Sequence, residues 1–64
     1  MGIQVRETGL QQAIDAAGGI ASLARKLGIA QPSVSNWTRV PAERVLGVES
    51  LTGVPRDVLR PDLY

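Results

Sequence analysis

The stretch Ala21-Ser22-Leu23-Ala24-Arg25-Lys26-Leu27-Gly28-Ile29-Ala30-Gln31-Pro32-Ser33-Val34-Ser35-Asn36-Trp37 decides how this chain folds. Ile20, Leu23, Ala24 and Leu27 fall at i, i+3, i+4 and i+7, one face of a helix over residues 20–27. Gly28 follows, and glycine enters the left-handed conformation of a sharp turn at no steric cost. A second helix is expected over 31–38, with Pro32 tolerated because first-turn amides have no intrahelical partner. Val34 and Trp37 are its inward residues. Two helices joined by a three-residue turn containing glycine form a helix-turn-helix, whose second helix lies in the major groove of DNA. Ala24 then sits where the helices approach most closely, Gly28 makes the turn, and Ile29, Val34 and Trp37 lock the second helix onto the first. Taken singly, each is an ordinary helix former, cap or core residue. Their joint placement 4, 5, 10 and 13 residues after Ala24 carries the reading.

Upstream, Leu10, Ala13, Ile14 and Ala17 have helical spacing and predict a helix over 9–17, with Thr8 and Gln11 as a capping box and Gly18-Gly19 as its end. Residues 1–8 read as a short N-terminal segment. Downstream, Pro41 opens a helix over 41–52 that puts Val45, Val48 and Leu51 on one face and stops at Gly53. Pro55 starts a short helix over 55–59 before the break at Pro61. No segment alternates as a strand does, so residues 9–64 are expected to form one all-α domain of five helices.

Composition agrees and narrows the function. Sixty-four residues make one domain, and 44% hydrophobic with 20% charged residues is too apolar for disorder. The apolar runs are too short for a membrane span. The chain has no Cys and no His, which removes disulfides, thiol nucleophiles, the usual general base and the commonest zinc ligands. No enzyme activity, metal or cofactor is expected. The start lacks the features of a signal peptide, so a cytoplasmic location is expected. The net charge is +1, but residues 19–44 alone carry +3, from Arg25, Lys26, Arg39 and Arg44 against Glu43. Clustered positive charge is the footprint of a polyanion site, although an ordinary solvated surface has the same look.

At about 100° per residue, with Val34 and Trp37 inward, Pro32, Ser35, Asn36 and Arg39 fall on the outer face of the second helix. Gln31 projects from its first turn, where a recognition helix comes nearest the base edges. Gln and Asn pair in bidentate fashion with adenine, Arg with guanine, and Ser with either base, while Pro32 offers an apolar surface to a thymine methyl. Gln31, Pro32, Ser35, Asn36 and Arg39 are therefore the candidate base readers. Any solvated helix face also contains such residues. Ser22, Arg25, Lys26, Ser33, Thr38 and Arg44 are candidate phosphate contacts, which add affinity without sequence information. Arg6, Arg56 and Arg60 lie near acids and read as surface charge or tail contacts.

Three stretches carry a resemblance: Ala21 to Ile29 followed by Val34-Ser35-Asn36-Trp37, then Val40-Pro41-Ala42-Glu43-Arg44-Val45-Leu46, and finally Leu59-Arg60-Pro61-Asp62-Leu63-Tyr64. Over residues 10–64 the chain resembles the small Cro-like proteins of phages and prophages, and especially the YdaS-like family of antitoxins and repressors. The Pro-Ala-Glu-Arg and Leu-Arg-Pro-Asp parts are its most specific marks. The resemblance implies a five-helix lambda-repressor-like domain that binds an operator as a dimer, with Gln31, Pro32, Ser35 and Asn36 at base-reading positions. Ala30 departs from the Ser or Thr common in relatives, and the Thr38-Arg39-Val40 link is shorter than usual. The expected partners are a double-stranded DNA operator and a second copy of the chain. Val54, Val58, Leu59, Leu63 and Tyr64 offer either a dimer surface or closure of the monomer core. The rival reading is an antitoxin that neutralises a toxin by direct contact, with DNA binding secondary.

Overall fold

The computed structural model describes residues 8–64. The helices are α1 (Thr8–Ala17), α2 (Ile20–Leu27), α3 (Gln31–Ser35), α4 (Val45–Thr52) and α5 (Arg56–Leu59), with a 3₁₀ turn, Ala42–Arg44, leading into α4. Among the described residues there is no strand, and the chain is all-α, as the apolar spacing implies. The segment before residue 8, with Arg6, lies outside the described residues.

The core is aliphatic throughout. Leu10, Ala13, Ile14 and Ala17 of α1 meet Leu23 and Ala24 of α2, Val34 of α3, Val45 and Val48 of α4, and Leu59 of α5. Each fully buried Val or Leu stabilises the fold by roughly 1.5–3 kcal/mol over leaving it exposed. α1 packs on α2, α4 and α5, while α3 packs on α2. The outer surface of α3 is thereby left uncovered, with Gln31, Pro32, Ser33 and Asn36 exposed.

Four local expectations differ from what is observed, each for a physical reason. Thr8 lies inside α1, and Gln11 donates forward from its amide to Asp15 Oδ1 at 3.0 Å. Thr8 is already helical and so is not the cap of this helix, and Gln11 adds an i, i+4 bond along its surface instead. α3 stops at Ser35 instead of residue 38. Its end tightens as the Trp37 N–H turns to the Val34 carbonyl at 3.0 Å. Beyond it, Val40 is fully buried and precedes Pro41, so the chain must leave the helix in extended form to seat Val40 in the core. Trp37 still packs against the core, but from outside the helix. Pro41 is the cap of the 3₁₀ turn and not a helical residue, and the Arg44 N–H closes that turn on the Pro41 carbonyl at 2.8 Å. Lastly, Leu51 is 42% exposed. The inward line of α4 runs through Val45, Val48 and Thr52, leaving Leu51 about 100° round the helix. The Thr52 hydroxyl donates to the Val48 carbonyl at 2.7 Å and accepts the Val54 N–H at 3.2 Å.

The C-terminal end is tied down by two arginines. Glu49 accepts the Arg56 backbone N–H at 2.8 Å and pairs with its guanidinium at 3.0 Å, and these bonds hold the Glu49 carboxyl below its ordinary range. Arg60 has a side chain only 12% exposed. Its Nη1 donates to the Val40 carbonyl at 2.9 Å, while Nε and Nη2 grip both oxygens of Asp62 at 2.9 and 2.7 Å. Arg60 is thus a brace between the α3–α4 connection and the tail. Arg60→Met keeps the apolar stem but leaves the Val40 carbonyl without its donor, which costs about 2 kcal/mol. Urea denaturation checks this, and an unchanged midpoint would show that water replaces the guanidinium.

The Arg60 hydrogen bonds lower the Asp62 carboxyl to about 2. A depressed folded-state value means that this contribution is complete above the ordinary carboxylate range and is lost as pH falls toward 2. An acid titration of stability should therefore fall less steeply in Asp62→Asn than in the parent chain.

Candidate nucleic-acid interface

The turn between α2 and α3 fixes the site. Gly28 has φ 73° and ψ 29°, a left-handed conformation that a side chain would strain. Its N–H bonds the Arg25 carbonyl at 3.1 Å and the Ile29 N–H bonds the Ala24 carbonyl at 3.0 Å. This pair closes α2 as a Schellman motif and points the chain back across the helix. Ala24 is buried, and Leu27 and Ile29 are half-buried against the core. Val34, fully buried, then seats α3 on Leu23 and Ala24 within the same cluster. The helix-turn-helix packing set is brought together, with Trp37 joining it from the segment after α3.

Around α3, Pro32 and Asn36 lie opposite Val34, and Gln31 and Ser35 share one flank. Gln31, Pro32 and Asn36 are exposed, and Ser35 is half-buried. Ser33 is exposed on the other flank. Arg25 and Lys26 stand exposed in the last turn of α2. The Arg25 Nη2 donates to the Ser22 hydroxyl at 3.3 Å, which steadies the guanidinium on that face. Arg44 is half-buried in the 3₁₀ turn. Thr38 and Arg39 do not extend the outer face of α3, because the helix has already ended. Arg39 instead has its Nη1 3.5 Å from Asp62 Oδ2.

The expected C-terminal surface also divides. Val54 and Leu59 are buried in the monomer core and Val58 packs against it, whereas Leu63 and Tyr64 are about half exposed, as are Leu46 and Leu51 on α4. The Arg56 guanidinium lies 5.7 Å from the centre of the Tyr64 ring. Sequence reasoning missed the Arg60 brace and the buried Val40. An apolar residue before proline in a polar stretch, and Arg and Asp flanking Pro61, were the available signals. No helix among the described residues is long and apolar enough to cross a membrane.

A profile of the family described as "Bacterial toxin YdaS" matches residues 10–64, which takes in all five helices except the start of α1. The chain belongs to this family. It is also 39% identical over 59 residues to the protein named "Putative transcriptional regulator YdaS" of Escherichia coli strain K12. The match covers 83% of this chain and 60% of that relative, so the chain spans less than two thirds of the relative's length. The two YdaS descriptions name different roles, toxin and regulator. No solved structure matches the chain.

Proposed function

We propose that this chain is a sequence-specific regulator of transcription that binds duplex DNA through α3, acting as a Cro-like repressor of prophage type that covers its operator. The observation that carries the reading is α3 itself. Val34 anchors it behind the Gly28 turn while Gln31, Pro32 and Asn36 face outward beside Arg25 and Lys26. The regulator name of the Escherichia coli relative supports it. Gln31, Asn36, Pro32 and Ser35 read base edges; Arg25, Lys26, Arg44 and Ser22 hold phosphates, joined from the flanks by Ser33, Thr38 and Arg39. Five helical residues span about 7.5 Å, short enough to lie within one major groove. One such module buries only about 600–1,000 Å², so two copies on a palindromic site are expected. The reading assigns the chain to the cytoplasm and gives it no catalytic role and no cofactor.

The family description favours a second reading, a protein-contact role within a toxin–antitoxin pair. The exposed Leu46, Leu51, Leu63 and Tyr64 are then the surface for the partner. Selection of random duplex DNA by the purified protein at near-physiological salt decides between them. Enrichment of a palindrome with half-sites about one helical turn apart supports the repressor. No enrichment turns the search to protein partners.

A further inference from the structure

We propose that Asp62 tunes the DNA interface as a fixed carboxylate that competes with backbone phosphates for Arg39 and so holds down binding to duplex of any sequence. The inference rests on the DNA-binding reading above and gives a use to the Leu59-Arg60-Pro61-Asp62 motif, which that reading leaves unexplained.

The motif builds a rigid anion. Arg60 precedes proline and has left the helical region, with φ −141° and ψ 77°. Pro61 then turns the chain so that the Leu63 and Tyr64 N–H groups both reach the Arg60 carbonyl, at 3.0 and 3.1 Å. In this turn Arg60 grips Asp62 through two parallel bonds, and a third bond from the same guanidinium fixes it to the Val40 carbonyl. Two-point pairing of this kind sets the direction of the carboxylate as well as its distance. Asp62 is therefore held in place by a side chain that is itself buried and braced.

Its neighbour Arg39 is different. The Arg39 side chain is 52% exposed and that of Asp62 44%, with 3.5 Å between Nη1 and Oδ2. Arg39 lies three residues beyond Asn36, on the segment that leaves the candidate recognition helix. Arg39 and Arg60 thus both stand beside the Asp62 carboxylate, and the charge of Arg60 is already engaged within the fold. A phosphate that reaches Arg39 must displace or share Asp62. An exposed pair of this kind is weak, worth under about 1 kcal/mol, so the carboxylate dampens the contact without blocking it.

The test is the affinity of the full chain for a random-sequence duplex, measured by fluorescence anisotropy over a range of salt concentrations. Asp62→Asn keeps an oxygen for Arg60 and removes the charge. The expected result is about three-fold tighter binding, with a salt slope steeper by up to about 0.9 as one more phosphate is neutralised. In an Arg39→Ala background the same substitution should change nothing. An Asp62→Asn variant that binds as the parent does, or an equal gain with and without Arg39, overturns the inference alone. A parent chain that binds no duplex overturns the DNA-binding reading and this inference with it. Should Asp62→Asn fail to fold, Arg39→Ala is compared with Arg25→Ala. A smaller loss from Arg39→Ala supports the damping, and equal losses overturn it.

Discussion

Gly9→Ala is expected to destabilise the fold by about 3 kcal/mol and to lower the melting temperature by about 15 °C. Helix propensity alone points the other way, since alanine is favoured over glycine within a helix by up to about 1 kcal/mol. Packing decides the sign. Gly9 is buried in the first turn of α1, where α5 crosses it. A methyl there overlaps the Val58 carbonyl oxygen and stands 2.8 Å from both the Val58 carbonyl carbon and the Leu59 Cα. All of these atoms are backbone, so no side-chain rotation relieves the overlap. α5 has to move off α1, carrying the fully buried Leu59 away from the core that Leu10 also lines. Thermal and urea denaturation of the variant check the result. A stability equal to or above the parent's would mean that α5 sits on α1 with slack that the observed contact does not have.

Gly9 also marks where reading the sequence stops. The helix-turn-helix was legible because each of its parts answers to a local constraint. Gly28 has to be left-handed, Ala24 has to be small at a crossing, and Val34 is the one apolar residue in a polar turn of helix. The outward placement of Pro32 and Asn36 followed from taking Val34 and Trp37 as the inward residues, and that of Gln31 from its place in the first turn. The end of α3 was not local. It is set by the burial of Val40 and by a carbonyl bond from Arg60, twenty residues further on. Arg39 accordingly left the helix face on which its spacing had put it and came within reach of Asp62. The same holds for Leu51, whose inward position went to Thr52 because that hydroxyl joins the end of α4 to the following turn. Spacing counts apolar residues and passes over a polar one whose hydrogen bonds are satisfied inside. In Leu59-Arg60-Pro61-Asp62 the residues were plain to see, but their use depends on a backbone carbonyl that only the folded chain brings near.

Replacing both Gln31 and Asn36 by alanine is expected to cost about 4 kcal/mol of discrimination between the selected operator and random duplex, roughly a thousand-fold, if each makes a bidentate base contact. Asn36→Ala alone should cost about 1–3 kcal/mol, and contacts to separate base pairs add approximately. The fold should survive. Both side chains are exposed, and Asn36 has φ −84° and ψ −9°, a right-handed conformation that alanine also adopts. A circular dichroism melt that matches the parent's separates lost recognition from lost structure. The contrast with Arg25→Ala and Lys26→Ala makes the assignment specific. Those changes remove charge from the flank of α2 and should weaken binding to operator and random duplex alike, each reducing the salt slope by about 0.9. The alanine pair on α3 should leave that slope in place while the sequence preference collapses. Equal losses on both DNAs from the α3 pair would make Gln31 and Asn36 backbone contacts, and base reading would then have to come from residues outside α3.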